Sequence, residues 1–579
     1  MSLYRRKFPL ALSALALGLS GTAIQAENPA IYSGYDRVHP VVATHGMVVA
    51  QEKVAARVGL DILRQGGNAV DASVAVAFAL AVTLPRAGNL GGGGFMLVHD
   101  AKSGSTKAID YREKAPLAAF RDMYLDDAGN VVKNRSRFHG LAVGVPGTVA
   151  GMVLALQNYG TMPLSQVIAP AIKLARDGIM VTKSFSDGLK RAEKRLKRWQ
   201  QTAAVFYKPD GGFYQPGEIF KQPDLAHTLE LIAKSGADGF YKGETAEKIS
   251  AAVQAANGMI TLKDMAAYRS VVRQPVSGTY RGYDIQSMPP PSSGGTHIIE
   301  ILNTLEGYPI GALGANTAET IHLMAEAMKQ AYADRATYLG DADFVDVPVK
   351  ALTSKIYAGK IRNRIDLGKA RPSSEIKAGK LSLYESNETT HFSVVDQFGN
   401  AVSNTYTLNF SYGAGILATG TGVLMNNEMD DFSAKAGVPN AYGLIGGDAN
   451  AVAAGKRPLS SMSPTIVMKN GKVFLVTGSP GGSRIITTTL QIIMNVIDHK
   501  MNIAEATYAP RIHHQWLPEE LRVEEGISND TKAILRAKGH DVVTKRTMGA
   551  TQSIMVDPET GLLLGATDPR RTTGSVEGY

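Results

Sequence analysis

Cysteine is absent from the chain. Its absence removes disulfides, thiolate-ligated zinc, iron–sulfur centres and a cysteine nucleophile together. With 579 residues, the chain can bury a core large enough to need no cross-links. Long apolar runs are also missing. The stretch 70–84 is shorter than the roughly 20 residues of a membrane helix. It is also interrupted by Asp71 and Ser73, so it reads as a buried globular helix. No Ser/Pro-rich linker, low-complexity tract or internal repeat cuts the chain, although its length alone suggests about two to four domains. The formal charge is +9, from 61 basic and 52 acidic residues. That mild excess, without a nucleic-acid-type basic block, weighs against a nucleic-acid partner. The basic stretch 183–197 reads as a helix with a solvated face.

The N-terminus has the order of a secretory leader. Arg5, Arg6 and Lys7 precede an apolar run from Phe8 to Leu19, and small residues then lead to Ala26 and Glu27. The run is too short for a permanent span. Cleavage after Ala26 fits best, with Ala23 as the alternative.

Beyond the leader, the apolar spacing predicts helices over 51–65, 71–84, 146–156, 164–177, 317–338 and 484–497. Hairpins are expected from 389–395 with 401–408, from 465–468 with 473–477 around Asn470-Gly471, and from 552–556 with 562–566. A further strand pair is expected at 95–99 and 107–111. Antiparallel pairs with helices outside them imply a layered α+β or α/β body, not a doubly wound parallel sheet. Strands from both ends of the chain contribute, so no independent domains are expected. The segment 370–387 is charged, small and aperiodic, and it ends abruptly at the strand opening Thr389-Thr390-His391.

Candidate chemistry is sparse. The chain has no G-x-S-x-G elbow before a helix, no H-E-x-x-H and no EF-hand loop. A Thr389 freed at a new N-terminus would carry its own base, because an α-amine with a reference pKa of about 8 sits a few bonds from the hydroxyl. An ordinary strand residue is the alternative. Gly481 and Gly482, between a strand and a helix, allow backbone N–H groups to approach an oxyanion, or else form a tight turn and cap. Gly91 to Gly94 lacks a phosphate-loop pattern and reads as close packing. Pro289 to Gly295 reads as a rigid turn that caps a helix or lines a cleft. Arg112 suits a carboxylate, the cluster Asp430-Asp431 an ammonium, and Ser460 and Ser461 offer hydroxyls. A salt bridge for Arg112 and a solvated turn or metal site for the acids are the plainer alternatives. His513 and His514 are adjacent in an extended segment, so they point apart and read as structural.

Several stretches occur together and in order: DYREKAP around Arg112, PRAGNLGGGGFM, PPPSSGG, ETTHFSVVD, TYTLN ending at Asn409, LMNNEMDDFS, GKRPLSSMSPT and TGSPGGSRI. In these the chain resembles the γ-glutamyltranspeptidases (γ-glutamyltransferases) over essentially everything after the leader. The resemblance implies an exported precursor, periplasmic or secreted, that cuts itself between Glu388 and Thr389. The pieces would be 27–388 and 389–579, after a leader of 1–26. They would stay together as one intertwined α+β layered body, an αββα four-layer sandwich of the N-terminal-nucleophile hydrolase type built from both halves.

The same resemblance implies roles. Thr389 is the expected nucleophile, Thr407 holds its hydroxyl, and Gly481 and Gly482 form the oxyanion hole. Arg112, Ser460 and Ser461 take the substrate α-carboxylate, while Asn409, Glu428 and Asp431 take its α-amine side. The loop 439–447, with Tyr442, corresponds to a lid. No metal and no organic cofactor are implied. The expected partners are γ-glutamyl compounds such as glutathione, with water, amino acids or peptides as acceptors; no nucleic acid and no stable membrane span are expected. Related alternatives are a glutaryl-type cephalosporin acylase and a poly-γ-glutamate-processing enzyme. A solute-binding protein without chemistry is the alternative of a different class.

Overall fold

Side chains alternate across a strand, so each sheet sends odd and even residues into different surroundings. The computed structural model describes residues 36–377, 389–435, 437–438, 444 and 446–579. The leader, the proposed bond before Thr389 and Tyr442 lie outside these described residues. Two seven-stranded antiparallel sheets dominate. The first runs in the order Ser575–Gly578, Met47–Ala50, Thr390–Val395, Ala401–Thr407, Gly93–Asp100, Ser105–Tyr111, Val271–Arg273. The second runs Val41–Ala43, Leu563–Thr567, Gln552–Val556, Lys472–Thr477, Thr465–Lys469, Tyr283–Ser287, Val276–Tyr280. The expected hairpins all form, and every named pairing within these two sheets is antiparallel.

Alternation explains the cores. Met47, Val49, Phe95 and Val395 of the first sheet form one apolar cluster with Ile466, Val476 and Ile554 of the second. Their neighbours Val48, Phe392, Val394 and Val402 face the opposite way, into a cluster with the helices Lys53–Arg64, Ala69–Thr83 and Thr148–Tyr159. Val467, Leu475, Met555 and Leu564 of the second sheet pack instead with Gly294–Leu305, Ala318–Tyr338 and Arg484–Ile497. The body is therefore a layered α/β fold.

The helix Ala69–Thr83 is buried along its whole length. Its Asp71 does not weaken it, because the carboxylate works as a cap. Asp71 accepts from the N–H groups of Asn68 (2.8 Å), Thr161 (2.9 Å) and Met162 (3.0 Å). The Asn470-Gly471 turn has φ of 51° and 76°, the double positive φ that a two-residue hairpin requires and these residues tolerate. Helices 164–177 and 484–497 have the expected bounds; other ends shift by a few residues where caps, invisible to periodicity, decide them. Among the described residues, no helix is long and apolar enough to cross a membrane.

Strands from before and after residue 389 interleave. In the first sheet, Thr390–Val395 pairs with Met47–Ala50, Ser575–Gly578 pairs with that same strand, and Ala401–Thr407 pairs with Gly93–Asp100. In the second, Leu563–Thr567 pairs with Val41–Ala43 and Thr465–Lys469 with Tyr283–Ser287.

Candidate active site

The hairpin register sets the position of Thr389. Thr390 lies opposite Tyr406 and His391 opposite Thr405, so one step outward puts Thr389 opposite Thr407. The Thr389 hydroxyl donates to Thr407 Oγ1 at 3.3 Å, and the Asn409 N–H donates to the same oxygen at 2.9 Å. Asn409 turns the chain with φ of 71° and ties it to the next loop by donating from Nδ2 to the Asn427 carbonyl at 2.9 Å. That loop is anchored by Asn426, whose Nδ2 donates to the carbonyls of Gly91 and Gly144, each at 2.8 Å. The glycine run 91–94 serves close packing here. A Cβ on Gly92 would lie 2.0 Å from the Thr407 carbonyl, so a side chain there would push the strand carrying Thr407 away.

His391 faces the same intersheet layer as Thr389. Both its ring nitrogens are engaged, Nδ1 with Thr405 Oγ1 at 2.8 Å and Nε2 with Ser393 Oγ at 3.1 Å. Burial lowers its pKa to about 3.

Arg112 directly follows the strand Ser105–Tyr111 and is fully buried. Its guanidinium pairs with Glu428 and with Asp431, donates from Nε to the Pro458 carbonyl at 3.1 Å, and lies 3.8 Å from Glu113. Burial alone would drain its charge; the carboxylates of Glu428, Asp431 and Glu113 reverse that and raise its pKa. The acids feel the opposite pressure. Burial, opposed by Arg112, raises Glu113 to about 7, and burial with like-charge neighbours, also opposed by Arg112, holds Glu428 well above the usual carboxylate range. Burial also raises Asp431. Three carboxylates share one guanidinium, so part of the cluster holds a proton near neutrality.

Asp430 does not join them. Successive residues of the tight turn Glu428–Asp431 point differently, and Asp430 accepts instead from Ser136 Oγ at 2.5 Å and Arg137 Nε at 3.4 Å. The Asp430-Asp431 cluster read from the sequence is therefore split, and the acids that line the cleft are Glu428 and Asp431.

Ser460 is held by the Pro289–Gly295 turn. Its N–H donates to the Pro291 carbonyl and its own carbonyl accepts from the Ser293 N–H, both at 2.8 Å. The buried Arg335 joins the same group, donating from Nε to Ser293 Oγ at 2.9 Å and from Nη2 to Ser461 Oγ at 3.3 Å. Burial lowers its pKa to about 10. Sequence reasoning missed Arg335. The available signal was that helix 317–338 carries charged residues around its whole circumference, so it must bury some of them.

Gly481 and Gly482 have φ of 141° and 60°, in the loop leading into the helix Arg484–Ile497. Gly482 lines the same cleft as Thr389, Thr407, Asn409, Arg112, Glu428, Asp431, Ser460 and Ser461. Gly481 faces a neighbouring cleft. With Arg112 folded onto the acids, the free space at the threonine is about 20 Å³.

Metal-ligand geometry occurs elsewhere, at His322, Glu326 and His540, whose ligand atoms lie within 4.8 Å of one another. These groups are already committed: His322 Nδ1 and His540 Nε2 share a hydrogen bond of 2.8 Å, and Glu326 holds the Lys329 ammonium at 2.9 Å. His513 and His514 engage different neighbours, Thr487 Oγ1 at 2.8 Å for the first and the Trp516 N–H at 3.1 Å for the second.

The family model described as Gamma-glutamyltranspeptidase matches residues 55–578. The glutathione hydrolase proenzyme of Escherichia coli (strain K12) is 57% identical over 574 residues, covering 98% of each chain. Among solved structures, the cephalosporin acylase from Bacillus halodurans aligns with a TM-score of 0.82 at 30% identity, covering 96% of this chain and 99% of that one. The Helicobacter pylori gamma-glutamyltranspeptidase aligns with a TM-score of 0.56 at 50% identity, covering 57% of this chain and 95% of that one.

Proposed function

The chain belongs to the gamma-glutamyltranspeptidase family, and from that premise we propose how its residues carry the reaction. It is an N-terminal-nucleophile enzyme of γ-glutamyl hydrolysis and transfer, acting on glutathione-like substrates. The precursor is cut autocatalytically, and the two chains remain together. The cut falls between Glu388 and Thr389, giving pieces 27–388 and 389–579 after removal of the leader 1–26, in the periplasm or outside the cell. The layers form an αββα sandwich, a reading supported by three apolar clusters: one between the sheets and one under each helical layer.

The observation carrying the mechanism is the meeting of the Thr389–Thr407 hydroxyl pair with Arg112, Glu428 and Asp431 in one cleft. A γ-glutamyl headgroup carries both a carboxylate and an ammonium. It enters by separating an existing pair: its carboxylate takes Arg112 with Ser460 and Ser461, and its ammonium takes Glu428 and Asp431 beside Asn409. Ion pairs are exchanged for ion pairs, so no buried charge is left bare. Arg335 acts one step back, holding Ser461 and the turn behind Ser460.

Thr389 Oγ then attacks the γ-carbonyl carbon while the freed α-amine takes its proton. In this scheme the backbone N–H groups of the Gly481–Gly482 loop, of which Gly482 lines the threonine cleft, hold the oxyanion. The departing amine takes the proton, leaving a γ-glutamyl ester. Water or an acceptor amine resolves the ester.

A glutaryl group has the carboxylate but no ammonium, so it would leave Glu428 and Asp431 uncompensated. The test compares γ-glutamyl-anilide with glutaryl-anilide on purified protein, with and without glycylglycine. We expect release from the γ-glutamyl compound, acceleration by glycylglycine, and two bands on a denaturing gel, the smaller beginning at Thr389. A single intact band in active protein, or preference for the glutaryl compound, overturns the reading.

His391 is not the base in this scheme. It lies two residues from Thr389, roughly 6–7 Å along an extended strand. With a pKa lowered to about 3 by burial, it stays neutral across the working range, so the rise of acylation with pH belongs to the α-amine. His391→Asn protein, once fully processed, should keep acylation within about tenfold of the parent and retain the pH dependence. A loss of about a thousandfold in pre-steady-state acylation, with correct processing, would make His391 the base.

A further inference from the structure

Two adjacent glycines do not hold a shape by themselves. Gly481 and Gly482 sit at φ of 141° and 60°, and residues without a Cβ move readily between such conformations. Their carbonyls accept from the N–H groups of Arg484 at 3.2 Å and Ile485 at 3.1 Å. The glycine peptides are thereby joined to the first turn of the helix Arg484–Ile497, and whatever fixes that turn fixes them.

Ser483 is where the turn is fixed. Its Oγ does not cap its own helix but donates to Gln515 Oε1 at 2.8 Å. Its carbonyl accepts from the Tyr332 hydroxyl at 2.5 Å. The Tyr332 ring is 2% exposed and has little room to swing. It lies between His297, with ring centres 6.5 Å apart, and His513, met edge-on at 5.7 Å. Burial raises the phenol's pKa against the pull of Arg335 and Arg484, so the hydroxyl stays a donor across the working range.

Tyr332 and Arg335 stand three residues apart in the helix Ala318–Tyr338, so their side chains leave from the same face. Arg335 reaches Ser293 and Ser461 behind the headgroup site, and Tyr332 reaches the turn behind the glycine loop. One helix therefore sets the separation between two sites that grip a single substrate, one at its α-carboxylate and the other at its γ-carbonyl.

We propose that Tyr332 is a positioning residue for acyl transfer, its hydroxyl holding the Ser483 carbonyl so that the N–H groups of the Gly481–Gly482 loop stay aimed at the oxyanion. The inference rests on the γ-glutamyl-transfer reading and deepens it. Ser483 and Gly482 line the threonine cleft, and Tyr332 is not among its described lining residues, so Tyr332 acts through the loop. The oxyanion exists in the tetrahedral intermediate and the transition states on either side of it, not in the bound donor. Loosening its donors slows the chemistry and leaves donor binding nearly as it was. The same oxyanion forms again when water attacks the ester, so acylation and deacylation slow together.

The experiment uses processed Tyr332→Phe protein, which keeps the ring and loses only the hydroxyl. Pre-steady-state acylation by a γ-glutamyl-anilide, run across donor concentrations, gives a maximal rate and a half-saturating concentration; hydrolysis of the ester is then followed to completion. The maximal acylation rate should fall by about tenfold or more, and ester hydrolysis by a similar factor. The half-saturating concentration should move by less than about threefold, and the pH midpoint of acylation should stay in place.

Ser483→Ala leaves the helix Ala318–Tyr338 untouched and removes the bond to Gln515, the other hold on the same turn. It should show the same split between rate and binding, and it carries the test if Tyr332→Phe protein does not fold or mature. A maximal acylation rate within about threefold of the parent overturns the proposal. So does a defect confined to the half-saturating concentration, or slowed acylation with ester hydrolysis unaffected. Failure of the underlying reading looks different: the parent protein would release no anilide at all.

Discussion

Thr389→Ala should give one uncut chain, folded but without γ-glutamyl transfer, its activity lower by about a thousandfold or more. Two functions are lost with one oxygen: attack on the preceding carbonyl during maturation and attack on the substrate afterwards. Folding should survive. The strand Thr390–Val395 keeps its partners on both sides, and the hydroxyl's 3.3 Å bond to Thr407 contributes only about 1 kcal/mol. Denaturing electrophoresis with a thermal melt checks both halves of the expectation. Thr389→Ser, which keeps a hydroxyl, should mature slowly and regain measurable transfer. A cleaved, active Thr389→Ala protein would remove Thr389 from both roles.

Arg112→Lys should raise the KM for γ-glutamyl donors by about a hundredfold, roughly 2–3 kcal/mol, while self-cleavage proceeds. Lysine keeps the charge but not the planar fork, which here meets Glu428, Asp431 and the Pro458 carbonyl at once. Keeping the charge matters, because a neutral residue would take away the cation that the buried Glu113, Glu428 and Asp431 share. The defect should sit mainly in KM, since the headgroup lies away from the bond being broken. Steady-state kinetics on processed protein decides it: unchanged KM and kcat would take Arg112 out of the headgroup site.

The hairpin that opens at Thr389 was legible from alternation and its turn, whereas Thr407, Asn409 and Glu428 entered only through the resemblance. Antiparallel register carries Thr389 to Thr407, and the Asn409 turn and the glycine loop follow from residues that tolerate positive φ. Long-range burial was not legible. Arg335 reaches Ser293 and Ser461 from a helix whose pattern shows only that it is helical. Glu113 follows Arg112 in the chain, yet only the fold shows that it is wholly buried beside the Arg112–Glu428 pair. The difference between Asp430 and Asp431 is likewise one of turn geometry, which composition does not encode.

The interleaved strands give maturation a direction in time. The precursor folds as one molecule, so each sheet finds its missing strands at the end of its own tether. After the proposed cut the same ladders join two chains, and separating them means unzipping three pairings in one sheet and two in the other. Once unfolded, the pieces must find each other again through solution, and recovery becomes second order in protein. The mature enzyme thus loses the folding route by which it was made. Its lifetime is governed by the height of the unfolding barrier more than by the depth of the native well.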